Sequence, residues 1–162
     1  MNNLNVATCL KTTFLISLIS IISAYFIEYI LGHQPCNLCL IERIPYALAI
    51  FLIVLNYTFG KNEYFIILLL ILTFIFSFVI SFYHFGVEQG FFEESAVCGV
   101  KTTSDIISKE ELLKQLQEKT ISCKDVTFKI FGFSLTTINI FISLILVFLL
   151  VKIFNNYEKY KK

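Results

Sequence analysis

Four long apolar runs, separated by short polar connections and one long polar stretch, set the plan of this chain. They extend from about Thr12 to Leu31, Cys39 to Phe59, Tyr64 to Tyr83 and Ile130 to Val151. A helix needs about 20 apolar residues to cross about 30 Å of hydrocarbon, and all four runs are long enough. The third and fourth runs contain no charged residue, and Lys129 and Lys152 bracket the fourth. Inside hydrocarbon each backbone polar group must find its partner within the segment, so such runs become helices. The pattern predicts an all-α membrane protein: one domain over residues 1–162, built as a four-helix transmembrane bundle.

The second run contains Pro45, and its charge-free part from Ile44 to Phe59 is short. Proline removes a helical donor and clashes with the preceding turn. A start near Cys39 gives a full span and sets Cys39 and Arg43 four residues apart, on one helix face. The first run lacks a small-residue cleavage site, and Glu28 sits where one would fall, so it reads as an uncleaved span.

Four spans place both termini on one side. The connections are a loop at about 32–38, a turn at Gly60–Glu63 and a long loop at about 84–129. The first and third share a side, so Cys36, Cys39, Cys98 and Cys123 face one compartment. In the long loop Ser108 is a good N-cap with Glu111 at the capping-box position, and Ile107 and Leu112 fit the hydrophobic staple. Leu112, Leu113 and Leu116 form a narrow apolar stripe, so a short amphipathic helix lying on the membrane surface is expected here. A small solvated helix is the plainer alternative.

Composition agrees with the membrane reading. Hydrophobic residues make up 57% of the chain, charged residues 15%, and the mean hydropathy is +0.77. Soluble domains carry about 25% charge. The net charge of +1 and the lack of a basic stripe argue against a nucleic-acid partner. Lysines occur on both sides, packed more densely in the short terminal-side segments; counts alone do not orient the chain. Persistent disulfides need an oxidising compartment. The termini, and Cys9 with them, are therefore expected in the cytoplasm, and the cysteine loops in the oxidising compartment across the membrane.

Cys36-Asn37-Leu38-Cys39 is a C-x-x-C at the start of a helix. This spacing allows a small reversible disulfide, and a helix N-terminus favours the reactive thiolate. Arg43 adds a fixed positive charge one turn on. Cys98 and Cys123 lie 25 residues apart in the long loop. They form either a staple, stabilising by roughly 3 kcal/mol through loop closure, or a second redox pair that meets an external thiol protein. Two pairs on one face favour a relay over two staples.

A relay needs an electron sink. No dinucleotide fingerprint, haem motif or flavin site is present, whereas a quinone reaches a pocket between helices through the lipid. Arg43 would polarise a quinone oxygen. His84, at the same surface, is a quinone contact or an interfacial polar anchor, and Tyr46 and Glu88 are weaker candidates. Glu28, at the same depth, snorkels or pairs with Arg43.

These residues resemble a known family. Pro35-Cys36-Asn37-Leu38-Cys39-Leu40-Ile41-Glu42-Arg43 is similar to the signature of the DsbB family, membrane thiol:quinone oxidoreductases that reoxidise the periplasmic oxidant DsbA. Tyr83-His84-Phe85-Gly86-Val87-Glu88 resembles the family's segment after the third helix. Ser122-Cys123-Lys124-Asp125 and Phe131-Gly132-Phe133-Ser134-Leu135 resemble the stretch leading into the fourth. The resemblance implies four catalytic cysteines: Cys98 attacked by a DsbA-like thioredoxin-fold partner, Cys123 released as a thiolate and passing electrons towards Cys36, and Cys39 against the quinone with Arg43 beside it. Ubiquinone and menaquinone both fit, and no metal is implied.

Two other readings compete. In the vitamin K epoxide reductase type, also a four-helix quinone enzyme, the C-x-x-C follows the loop cysteines; here it precedes them. A non-enzymatic membrane scaffold would use the cysteines as structural disulfides, or as zinc ligands with Cys98 and Cys123 completing the set opened by Cys36 and Cys39.

Overall fold

The computed structural model describes residues 6–60, 63–93, 98, 122–124, 129–130 and 132–161. The expected surface helix around Ser108 and Leu112 lies outside the described residues. The elements are α1 (Val6–Tyr29), α2 (Asn37–Ile41), α3 (Arg43–Phe59), α4 (Glu63–Glu88), β1 (Lys129–Ile130), β2 (Phe133–Ser134) and α5 (Leu135–Lys161). Four helical stretches are long and apolar enough to cross a membrane: Val6–Tyr29, Asn37–Phe59, Glu63–Glu88 and Leu135–Asn156. The chain is an all-α membrane bundle.

Helix α4 is the centre of the bundle. It packs most extensively on α5, while α3 lies between α1 and α4 and α1 meets α5 only sparsely. The core is built from Ala49, Leu52 and Ile53 of α3, Ile67, Leu70 and Phe74 of α4, and Leu146, Leu150 and Ile153 of α5. At the middle of the α4–α5 seam Ser77 Oγ and Ser143 Oγ lie 3.1 Å apart. Small hydroxyl side chains let membrane helices approach closely and bond across the gap. Many large apolar side chains, among them Phe51, Phe65, Phe76 and Phe148, are exposed, as a lipid-facing surface requires.

The boundaries depart from the hydropathy reading at four places, each for a local reason. The first helix starts at Val6, because Val6-Ala7-Thr8-Cys9-Leu10 continues the helix through Lys11. Cys9 therefore sits inside α1 at 2% exposure, packed into the core, and not in a free terminal segment. The second span begins at Asn37 and is broken at Glu42. Pro45 has no N–H to give the carbonyl of Ile41, four residues back, so the helix ends there and restarts. The third helix continues past Tyr83 to Glu88, and the chain leaves it through Gly90 at φ 77. Phe91 and Phe92 both donate their N–H to the Gly86 carbonyl, at 2.8 and 3.2 Å. That bond folds Phe92 back onto Tyr83, ring centroids 5.7 Å apart. The fourth helix starts at Leu135, not near Ile130: Lys129–Ile130 pairs antiparallel with Phe133–Ser134 around Gly132, whose φ of 86 suits a tight hairpin.

Candidate active site

The short helix α2 carries the C-x-x-C. Cys36 is its N-cap, with extended backbone (φ -73, ψ 167), and its Sγ accepts from the Cys39 N–H at 3.4 Å. Cys36 Sγ and Cys39 Sγ lie in hydrogen-bond contact at 3.1 Å. His84, from the last turns of α4, places Nε2 3.5 Å from the same sulfur. Cys36 thus collects three contacts. The Cys39 thiol contact is the strongest and outweighs burial; His84 adds a hydrogen bond and a charge. Together they hold the Cys36 thiol down to about 4. At neutral pH its sulfur is a thiolate.

Cys36, Leu38, Val87, Cys98 and Cys123 form one buried cluster, with Cys39, Ile41 and Tyr83 packed on it. The fold thus brings the loop cysteines against the C-x-x-C, a juxtaposition that sequence separation does not reveal. All four are free thiols here. Burial, then the hydrogen bond with Cys98, pushes the Cys123 thiol up.

Behind the sulfurs lies a buried polar network. His84 Nδ1 donates to Glu42 Oε1 at 2.9 Å, because an ionised carboxylate only accepts. Asn139 Nδ2 donates to Glu42 Oε2 at 3.0 Å and to Ser81 Oγ at 2.7 Å. The Tyr46 hydroxyl donates to Asn139 Oδ1. Thr136 donates to Glu88 Oε1 at 2.5 Å, and Glu88 Oε2 is buried with no hydrogen-bond partner among the described residues. Glu42 occupies the joint between α2 and α3, so the break made by Pro45 also aims this carboxylate inward.

Arg43 turns the other way. Its Nη1 donates to Glu28 Oε2 at 2.5 Å, and its guanidinium lies over the Tyr25 ring, 5.0 Å from the centroid. Glu28 is therefore an ion-pair partner of Arg43. Arg43 also borders a cavity of about 330 Å³ between α1, α3, α4 and α5. Cys36, Cys39, Arg43, Tyr46, His84 and Cys123 all line it, at the polar end of an otherwise apolar space walled by isoleucines of α1 and α5. Cys98 packs in the sulfur cluster without lining the cavity. Small-molecule sites are typically mostly apolar clefts of about 300–1,000 Å³ with a few convergent polar groups.

Sequence reasoning missed Ser81, Thr136 and Asn139, and gave Glu42 no part beyond the signature. A signal was present. Ser77, Ser81, His84 and Glu88 recur at helical spacing, as do Thr136, Asn139 and Ser143, within runs that are otherwise apolar. Polar stripes of this kind in a span face the bundle interior.

Residues 7–153 match the family described as "Disulfide bond formation protein DsbB". The chain belongs to the DsbB family. It is also 31% identical, over 137 residues, to "Uncharacterized protein RP370" of Rickettsia prowazekii (strain Madrid E), an alignment covering 83% of this chain and 80% of that one. No solved structure matches. Membership in DsbB makes the chain a membrane oxidoreductase of disulfide bond formation. With four helices able to span, it is a multi-pass protein of the bacterial inner membrane.

Proposed function

We propose that this DsbB-family protein is a thiol:quinone oxidoreductase. It reoxidises a DsbA-like periplasmic dithiol protein, and its own two cysteine pairs carry the electrons to a membrane quinone. The observation that carries this reading is the meeting of all four cysteines beside one apolar cavity with a polar end. The termini lie in the cytoplasm and the cysteine loops in the periplasm.

The packing of the four cysteines supports the electron path that the family resemblance implies. Cys98 exchanges with the partner's dithiol, and the Cys98–Cys123 disulfide opens to release the Cys123 thiolate. Cys123 then attacks the Cys36 sulfur of the Cys36–Cys39 disulfide. A Cys36–Cys123 bond forms and Cys39 leaves as the thiolate. Cys36 is suited to this exchange because it shares a cluster with Cys98 and Cys123. Cys39, less buried and bordering the cavity, faces the acceptor. His84 Nε2, held by the Glu42 carboxylate, moves a proton at Cys36 Sγ.

The lining suits a quinone ring: isoleucines for its apolar face, with Arg43, Tyr46 and His84 at the polar end. A bound quinone supplies a sink for two electrons and two protons. Arg43 is pinned by Glu28 and Tyr25, so it presents positive charge to the cavity at little conformational cost.

The test is a purified reconstitution. Reduced DsbA-like protein plus ubiquinone or menaquinone should yield quinol, and each of Cys36→Ser, Cys39→Ser, Cys98→Ser and Cys123→Ser should abolish it. Quinol formation that survives these changes overturns the reading. Arg43→Ala should slow quinone reduction while leaving attack on the loop disulfide near its parent rate. Equal loss of both removes the role given to Arg43.

A further inference from the structure

We propose that the reduced site is also a redox-gated binding site for a thiophilic divalent metal ion, with Cys36, Cys39 and His84 as its protein ligands. The three ligand atoms all lie within 4.8 Å of one another. Cys36 Sγ is 3.1 Å from Cys39 Sγ and 3.5 Å from His84 Nε2, so one ion between them needs only small side-chain adjustments. The donor set, two thiolates and one imidazole, is a set that holds four-coordinate zinc with one open position. The open side here is the cavity, which admits water as the fourth ligand.

Two further features favour a cation. Metal-bound histidines usually donate their other ring N–H to a carboxylate, which orients the ring and raises ligand basicity. Glu42 holds His84 Nδ1 in this way at 2.9 Å, and Nε2 points at the sulfurs, where loss of its proton on binding frees a lone pair for the ion. Glu88, its side chain 6% exposed, brings a second carboxylate to 3.8 Å from Nε2, and its Oε2 has no hydrogen-bond partner among the described residues. Two carboxylates and two thiolates around one imidazole attract positive charge.

The site exists only in one redox state. Binding takes both sulfurs as thiolates and His84 Nε2 as a neutral donor, releasing the remaining thiol proton and the Nε2 proton; no electron moves. A disulfide between Cys36 and Cys39 removes both sulfur ligands, so metal and turnover exclude each other. The ion would arrest electron transfer in the reduced enzyme and leave the oxidised enzyme untouched. This inference rests on the proposed redox cycling of the pair only for its effect on turnover. The binding itself depends on the reduced geometry alone.

Cobalt(II) is the probe, added to full-length protein in lipid nanodiscs under a non-thiol reductant, with zinc(II) as competitor. One cobalt per reduced chain is expected, with thiolate-to-cobalt charge-transfer absorption, the d–d bands of a four-coordinate ion, and bleaching by zinc. Disulfide-oxidised protein should give no such spectrum. The Cys98→Ser/Cys123→Ser double variant should keep it. Cys39→Ser should lose it, and Glu42→Gln should weaken binding about 10- to 100-fold through the second shell. The same spectrum in oxidised protein, or its retention in folded Cys36→Ser and His84→Gln variants, overturns the proposal as adventitious binding. Its loss in the loop double variant overturns it by moving the ligands to Cys98 and Cys123. Quinol formation by metal-free protein is scored separately. Its failure beside a positive cobalt spectrum sinks the oxidoreductase reading and leaves the metal site standing; the converse sinks the metal site alone.

Discussion

Asn139→Leu isolates the energetic value of the network behind the sulfurs. Leucine keeps the branched heavy-atom skeleton of asparagine with bulkier methyl ends, so the change opens no cavity and removes every hydrogen bond of the amide. Asn139 is 9% exposed and serves three partners at once: Glu42 Oε2 at 3.0 Å, Ser81 Oγ at 2.7 Å and the Tyr46 hydroxyl. A buried group stripped of its partner costs about 1–3 kcal/mol, with charged groups at the upper end. Glu42 keeps His84 on its other oxygen and borders the cavity, so water there recovers part of its loss. The expected destabilisation is therefore about 2–4 kcal/mol, below the sum of three separate losses. Reversible unfolding in mixed micelles, followed by circular dichroism, measures it. Tyr46→Phe and the double variant complete a cycle, in which neighbours sharing a network should couple by about 0.5–3 kcal/mol. A loss under about 1 kcal/mol, or additivity within about 0.5 kcal/mol, would refute the reasoning.

Three more outcomes follow from the geometry. With Cys9, Cys98 and Cys123 changed to serine, alkylation of Cys36 should stay fast down to about pH 5. It should fall only as pH nears the depressed value of about 4, where the thiolate takes a proton. A profile that already drops between about pH 9 and about pH 7, as for an ordinary thiol, contradicts the assigned contacts. Gly86→Ala would place a Cβ 2.1 Å from a Phe92 ring carbon, so the ring must leave Tyr83. The expected loss is about 1–2 kcal/mol in thermal or denaturant unfolding, and none when Phe92→Ala is already present. Cys9, buried in the bundle, should resist a membrane-permeant maleimide until the fold is opened with detergent. Rapid labelling of the native protein would place it elsewhere.

The number of helices was legible because hydrocarbon demands long, uninterrupted apolar runs, and Tyr64–Tyr83 is such a run. The boundaries were less so. Hydropathy stops at Tyr83, yet the backbone stays helical through His84 and Glu88, since their polar side chains find partners on Glu42 and Thr136. Ile130 reads as the start of a span but belongs to a hairpin, which apolar content cannot distinguish from helix over two residues. At the site, Cys36, Cys39 and Arg43 announced themselves by spacing. Asn139 did not, because one amide in an apolar run acquires meaning only when the rotation of α5 brings it onto α4 and Glu42. The approach of Cys98 and Cys123 to Cys36 is tertiary, and no local pattern encodes it.

Pro45 divides one membrane crossing into two pieces with different obligations. Below the joint, α3 answers to lipid and to the packing of Ala49, Leu52 and Ile53. Above it, the five residues of α2 carry Cys39 behind the Cys36 cap, with Leu38 and Ile41 packed on the sulfur cluster. In the proposed cycle the cysteine pair exchanges partners and shifts position each time. A stiff, unbroken helix would pass that movement along its length into the bundle. In that cycle the hydrogen bond that Pro45 withholds from Ile41 would serve as a clutch, letting α2 move without turning α3.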